Sequence, residues 1–277
     1  MIERKQVYIT VKTYPTLSEK YDELVCTAGI CKDGTWIRLY PLPFRKLEIE
    51  QKFKKWQWIE VNIERNASDF RPESYKVLNI DNLEIISSKS DKVNWDERKR
   101  IIFKAENAFT NKAEIISLTK SNPPKRTLLT FKPAQIVKFY TKETEREWPK
   151  DKLELIKEKA KQLSFFQTQA ELIEEFKVID KLPFEFRYVF TDDEGVESDL
   201  MIEDWEIGAL YLNCLKTANG DESEALEKVR EKYWDDFMKR DIYLFLGTRL
   251  RDQARSPNPF SIVGVFYPPF DRQVELF

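Results

Sequence analysis

The chain of 277 residues contains no histidine, and this absence removes several kinds of chemistry at once. A histidine general base, a Ser-His-Asp triad and histidine metal ligands are all excluded. Only three cysteines are present, Cys26, Cys31 and Cys214, whereas a structural zinc site needs about four ligands. We therefore expect reduced thiols and no cofactor, and any catalysis would depend on carboxylates, Lys, Tyr, Ser or Cys.

Glycine is also scarce, and long apolar runs are missing. The seven glycines are spread singly along the chain, so there is no glycine-rich loop of the kind that cradles phosphates. No apolar stretch approaches the roughly 20 residues that span a bilayer. The start of the chain, MIERKQVYITVKTYP, lacks the apolar core of a signal peptide. These features predict a cytoplasmic protein without a membrane partner.

The net charge of −2 conceals an uneven distribution. Residues 1–150 contain 29 Lys and Arg against 21 Asp and Glu, whereas residues 151–277 contain 17 against 27. A basic first half and an acidic second half indicate different partners for the two halves, or docking of one half on the other.

The most informative stretch is Leu24 to Arg45, where two apolar runs flank Asp33-Gly34. Asp-Gly between alternating strands is a strong hairpin signal, because glycine supplies the positive φ of a tight turn. The stretch therefore predicts a β-hairpin.

On the second strand of this hairpin, Trp36, Arg38 and Tyr40 share one face at period two, and Ile37 and Leu39 share the other. An aromatic and cationic face of a small sheet is typical of single-stranded nucleic-acid binding. The alternative is that the aromatic residues belong to the sheet core with the arginine at its edge. The full predicted binding set is Lys12, Tyr14, Trp36, Arg38, Tyr40, Arg45, Arg71 and Lys76, with ordinary solvent-exposed charge as the alternative for its cations.

A short motif in the same stretch resembles a known family. Val25-Cys26-Thr27-Ala28-Gly29-Ile30 followed by Gly34-Thr35-Trp36-Ile37-Arg38 is similar to the signature of bacterial proteins with dual OB domains. This chain has Leu39-Tyr40 before Pro41, where that family tends to have proline directly after the arginine. The resemblance implies an oligonucleotide-binding type of β-barrel in the first half, with the Trp36-Arg38-Tyr40 strand as its binding face, and it implies no catalytic residue.

The pattern along the chain predicts an α+β protein in three parts. Residues 1–140 form an OB-like β-barrel domain that Gln135 to Tyr140 would close, and short helices lie near Arg98 to Ala105 and Ala113 to Leu118. Residues 141–180 form a charged helical connector, with helices over Lys152 to Leu163 and Gln169 to Phe176. Residues 181–277 form an acidic mixed α/β domain, which includes a helix over Asp221 to Met238 and two buried apolar strands, Asp241 to Gly247 and Phe260 to Tyr267.

Two charged sets stand out in the acidic half. Arg249, Arg251 and Arg255 lie in a loop between the last two strands and form a second possible basic site, or pair with nearby carboxylates. The carboxylate set is Glu185, Asp199, Glu203, Asp204 and Glu206, which could gather around a divalent metal. The Glu-Asp-Trp-Glu sequence is also typical of a helix start, with Trp205 as a core anchor.

Two main functions follow from these patterns. The first is a nucleic-acid-binding accessory protein that holds single-stranded or distorted DNA or RNA on its basic, aromatic β-face. The second is a metal-dependent nuclease or nucleotide-processing enzyme that uses the carboxylates of the second half. A third is an adaptor whose acidic half binds a basic protein partner.

Overall fold

Strand β1 (Ile2–Lys12) pairs along both of its edges and so organises the barrel that the computed structural model of the chain shows in its N-terminal half. The structure describes residues 2–18, 22–42, 52–86, 94–151, 153–154, 180–250, 252–253 and 255–271. The further strands of this half are β2 (Thr16–Ser18), β3 (Asp22–Cys31), β4 (Trp36–Leu42), β5 (Trp58–Arg65), β6 (Ser74–Leu78) and β7 (Glu84–Ile85). Five of them close in the order β1-β3-β4-β6-β5 and back to β1, with β4 and β6 as the parallel pair.

The hairpin predicted around Asp33-Gly34 is confirmed. Gly34 has a φ of 93°, and the Asp33 carboxylate accepts hydrogen bonds from the backbone and the hydroxyl of Thr35. Ile30 on β3 then pairs with Trp36 on β4. The turn chemistry therefore fixes the register of these two strands.

The predicted alternation along β4 is also found. Ile37 and Leu39 point into the barrel, where they join a core with Val7, Ile59 and Val61. This interior is filled by apolar side chains contributed by every second residue of the strands, as expected of a small barrel. The molecule is thus an α+β protein with an N-terminal β-barrel.

The second half contains two three-stranded antiparallel sheets. One has the order β13-β12-β8 and the other the order β11-β10-β9. Their strands are β8 (Leu128–Phe131), β9 (Gln135–Glu143), β10 (Phe184–Thr191), β11 (Glu197–Met201), β12 (Tyr243–Thr248) and β13 (Phe260–Phe266).

Four helices of eight residues or more lie in the described part of the chain. They are α1 (Trp95–Ile102), α2 (Lys112–Lys120), α3 (Trp205–Thr217) and α4 (Glu222–Arg230). Each begins at an Asn or Asp whose side chain accepts a hydrogen bond from a backbone N–H of the first turn. None of the helices that the structure describes has the length and apolar composition needed to cross a membrane.

Three expectations from sequence differ from the structure or fall outside it. The strand expected to close the barrel, here β9, pairs with β10 instead, because β5 already closes the barrel against β1. The helix expected over Asp221 to Met238 ends as an α-helix at Arg230 and continues as a π-helical turn (Glu231–Asp236) and a 3₁₀ turn (Phe237–Lys239). The connector helices predicted over Lys152 to Leu163 and Gln169 to Phe176 lie outside the described residues, except for 153–154.

The outer face of β3 and β4 packs on the second half. Ala28, Ile30 and Trp36 share one apolar core with Phe245 and Val263. Trp36 meets Phe245 edge to face, with ring centroids 5.3 Å apart. The barrel and the sheet β13-β12-β8 are therefore joined by a continuous core.

Candidate nucleic-acid interface

The predicted face of Trp36, Arg38 and Tyr40 is largely covered by the second half of the chain. Trp36 is 6% exposed and Arg38 is 2% exposed, while Tyr40 is half-buried. The alternative given above, that the aromatic belongs to the core, is confirmed for Trp36. In this conformation neither Trp36 nor Arg38 can stack on a base or meet a phosphate.

Arg38 is held by neutral partners across the junction. Its guanidinium donates to the hydroxyls of Ser74 and Thr127, each at 3.2 Å, and to the carbonyl of Thr127. Burial lowers the pKa of Arg38, and the positive charge of Arg71 lowers it further. Arg38 thus joins the barrel to the start of β8 and is structural.

Lys12 and Tyr14 are also used at the junction. The Lys12 ammonium is buried between the rings of Phe53 and Trp205, 5.5 and 5.2 Å from their centroids. Burial lowers the pKa of Lys12 to about 8, helped by the nearby charge of Lys55. The hydroxyl of Tyr14 donates to the carbonyl of Asp180, and its ring lies against Trp205.

Sequence reasoning missed Lys55, which makes the main ion pairs between the halves. Its ammonium lies 2.9 Å from both the Asp204 and the Glu206 carboxylates. Burial by itself would lower the pKa of Lys55, but these two carboxylates raise it. Burial raises the pKa of Asp204 to about 6 against the opposing effect of Lys55, so both groups are charged at neutral pH. In the sequence, Lys55 is one of several lysines near Trp56, and no local pattern indicates that it pairs with distant carboxylates.

The five predicted carboxylates are not gathered into one cluster that could hold a metal ion. Asp204 caps α3 by accepting from the Glu206 N–H, as the helix-start alternative expected. Glu185 and Asp199 flank Arg187, at 3.0 and 2.9 Å. Within the described part of the chain, no group of three or more acidic or cysteine side chains is arranged to hold a metal ion.

The Glu203 carboxylate is bound by one arginine and one hydroxyl of its own half. It accepts hydrogen bonds from Arg249 and from the Ser261 hydroxyl. Arg249 also lies 3.9 Å from Asp252. The alternative pairing of the loop arginines with carboxylates is thus found for Arg249.

Arg71 connects two sites that lie far apart in the sequence. Its guanidinium binds the Asp69 carboxylate at 2.5 Å and donates to the carbonyl of Thr248, also at 2.5 Å. Burial by itself would raise the pKa of Asp69, but the hydrogen bonds and charge of Arg71 lower it. The loop between β5 and β6 is therefore fixed against the loop that follows β12.

The loop before β8 contacts both of these loops through Thr127. The Glu73 carboxylate accepts from the backbone N–H and the hydroxyl of Thr127, at 3.0 and 2.6 Å. The Thr248 N–H donates to the Thr127 carbonyl, and the Gln253 amide donates to the Thr119 carbonyl. We call the described residues of 66–73, 120–127 and 249–258 the three-loop surface.

The three-loop surface presents apolar and cationic side chains to solvent. Phe70 is 56% exposed and Leu250 is 38% exposed. Lys120, Lys125 and Arg255 are exposed, and none of them makes an ion pair with another described residue. Of the other predicted cations, Lys76 is half-buried opposite Glu64 on β5, and Arg45 and Arg251 lie outside the described residues.

A cleft of about 280 Å³ opens beside this surface. One wall comes from the hairpin of β10 and β11, with Glu185, Arg187 and Asp199. The other wall comes from Arg249 and the loop that follows it. The cleft therefore brings together Glu185 and Asp199 of the predicted carboxylate set with Arg249 of the predicted arginine loop.

Comparison with family models divides the chain in two. Residues 3–104 match a family described as a domain of unknown function, DUF8758. Residues 108–277 match a second one, DUF8757, and this match covers more than half of the chain. The chain belongs to the DUF8757 family. Strands β1 to β7, apart from the first residue of β1, and helix α1 fall in the DUF8758 match, and β8 to β13 fall in the DUF8757 match. Neither description names an activity, and comparison with curated proteins gives no match.

Proposed function

We propose that this protein binds single-stranded nucleic acid on its three-loop surface. The observation that carries the proposal is the contact of Arg71 with the Thr248 carbonyl. This contact fixes the loop that bears the exposed Phe70 against Thr248, the last residue of β12, and the loop with Leu250 and Arg255 follows directly. Exposed rings and cations on fixed loops are the combination that single strands require.

The barrel supports this proposal. Its five strands close in the order β1-β3-β4-β6-β5, with β6 between β4 and β5, and this order supports an OB-like barrel as part of the proposal. Barrels of that type bind strands on the face of their second and third strands and on the loop between the fourth and fifth. Because β2 is not part of the barrel, its second and third strands are β3 and β4, and its fourth and fifth are β5 and β6. The face of β3 and β4 is covered by the second half of the chain. The loop between β5 and β6, residues 66–73, belongs to the three-loop surface.

The expected chemistry is stacking together with phosphate neutralisation. A base stacked on Phe70 contributes roughly 1–3 kcal/mol. The cations Lys120, Lys125 and Arg255 would each displace counterions from the backbone, so binding weakens as salt rises. The ligand is therefore the nucleic acid predicted from the sequence, but the binding residues lie on the three-loop surface and not on β4.

Fluorescence anisotropy with labelled single-stranded oligonucleotides at two salt concentrations tests this proposal. We expect Phe70→Ala to weaken binding by about tenfold or more, the loss of one stacked base. Phe270→Ala is the matched control, because Phe270 is 60% exposed outside the surface. Arg255→Ala should reduce the salt dependence, and Arg240→Ala, another exposed arginine, should leave it unchanged.

Equal loss in the Phe70 and Phe270 variants, or no binding by the wild type, would contradict the proposal. Mg²⁺ added in parallel separates binding from cleavage. Intact strands are expected, whereas Mg²⁺-dependent fragments would favour the hydrolytic alternative.

A further inference from the structure

The cleft beside the three-loop surface offers donors for an anionic group. Arg249 donates through Nη2 to Glu203 and to the Met201 sulfur, while its Nη1 is 3.9 Å from Asp252, beyond hydrogen-bond distance. Nη1 thus forms a long ion pair with Asp252, which also lines the cleft, and no described residue accepts a hydrogen bond from Nε or Nη1. The side chain is 34% exposed and lines the cleft. A guanidinium with free N–H groups in a cleft is suited to a phosphate.

The opposite wall offers acceptors. Glu185 and Asp199 line the cleft from β10 and β11, and both are partly exposed beside Arg187. The Glu185 carboxylate accepts from Arg187 through one oxygen, and the Asp199 carboxylate accepts from Arg187 and from the Tyr140 hydroxyl through one oxygen each. Each carboxylate has more lone pairs than these partners use. Carboxylates repel phosphate but accept hydrogen bonds from hydroxyl groups, so this wall favours the sugar of a nucleotide over its phosphate.

Together the two walls select one chemical class. We infer that the cleft holds a single ribonucleotide of the bound strand, with its phosphate on Arg249 and its ribose 2′-hydroxyl on the carboxylates of Glu185 and Asp199. The inference rests on the proposed function and specifies RNA as the ligand, since DNA lacks the hydroxyl that these carboxylates would accept. The volume of about 280 Å³ is at the small end of ligand sites, which suits one nucleotide and not a run of them.

Binding of matched strands to the full chain tests the inference. Labelled oligouridine, its deoxy counterpart and its 2′-O-methyl counterpart are compared by anisotropy at one salt concentration. We expect the ribose strand to bind about tenfold more tightly than the other two, the value of one good hydrogen bond to a charged acceptor. Uridine monophosphate and deoxyuridine monophosphate, titrated by calorimetry, should show the same order.

Two variants assign the preference to the cleft. Glu185→Gln and Asp199→Asn keep the side-chain shape but remove the charge of the acceptor, and we expect each to reduce the RNA preference toward unity. Glu194→Gln is the control, because Glu194 is exposed in the turn between β10 and β11 and does not line the cleft.

The outcomes distinguish the two proposals. Equal binding of RNA and DNA by the wild type overturns the ribose inference while the proposed function stands. No binding of any strand overturns both. An RNA preference that survives in both cleft variants also overturns the inference, because it places hydroxyl recognition elsewhere.

Discussion

Arg38 and Arg71 show how the same residue type acquires different roles from its neighbours. Both belong to the basic barrel, and both are buried. Arg38 donates to neutral groups of Ser74 and Thr127, whereas Arg71 pairs with Asp69 and reaches a backbone carbonyl. The sequence identifies them as cations on or near strands, but the partners that use up their hydrogen-bond donors come from residues up to 177 positions away.

Lys12 provides a residue-scale prediction about pH. Its pKa in the folded protein is about 8, below its ordinary value of 10.5. A lowered pKa means that folding favours the neutral amine, so the associated stability is present above the ordinary pKa and is lost as pH falls through 8. Between pH 7.5 and pH 10, we expect the wild type to gain about 1–3 kcal/mol of unfolding free energy relative to Lys12→Met.

Urea unfolding of both proteins at the two pH values measures this gain. Other titrating groups are common to the two proteins and cancel in the difference. Lys54→Met, at an exposed position, should show no pH-dependent gap. A constant gap between wild type and Lys12→Met would mean that Lys12 keeps an ordinary pKa.

At the scale of elements, the period of the sequence predicts which side chains share a face but not what covers that face. Alternation on β4 separates Ile37 and Leu39 from Trp36 and Arg38, and the structure keeps that separation. The covering element is β12, more than 200 residues later in the chain. Strand β9 shows the same limit, because its residues predict a strand and only tertiary pairing assigns it to β10.

Gly29 on β3 provides a prediction for the pairing of β1 with β3. A Cβ atom at Gly29 would lie 2.2 Å from the Tyr8 carbonyl oxygen, a backbone atom that cannot rotate away. We therefore expect Gly29→Ala to lower the unfolding free energy by about 3 kcal/mol or to prevent folding.

Gly247→Ala is the matched control for this change. Gly247 also lies on a buried strand, but a Cβ atom there would be 3.1 Å from a Val263 methyl group, which can shift. We expect a smaller loss, about 1 kcal/mol, in chemical denaturation. Equal losses for the two variants would contradict the assigned contact between β1 and β3.

At the scale of the whole molecule, the charge asymmetry is matched by contacts between the halves. Lys55 of the basic half binds Asp204 and Glu206 of the acidic half. The core around Trp36, Phe245 and Val263 is also shared. The uneven charge predicted either different partners for the two halves or docking of one half on the other. The structure shows the docking.

This shared core predicts cooperative unfolding of the full chain. Separating the barrel would expose Ala28, Ile30 and Trp36 to water and leave Arg38 without Thr127, which is unfavourable. We expect tryptophan fluorescence and far-ultraviolet circular dichroism to report one coincident urea transition. Two separated transitions would indicate that the halves fold independently.

The sequence alone determined the local features of this protein. The Asp33-Gly34 turn, the alternation on β4, the Asp204 helix cap and the strand character of β12 and β13 all depend on residues close in the chain. Local backbone preferences and side-chain periodicity are sufficient for these.

Only the tertiary structure decided which charges are available for binding. It buried Trp36 and Arg38, paired Lys55 with Asp204, and fixed the loop of Phe70 against the end of β12 through Arg71. The physical reason is that burial and pairing depend on groups distant in sequence, and a charged or aromatic side chain has the same local signal whether it meets solvent or a distant strand.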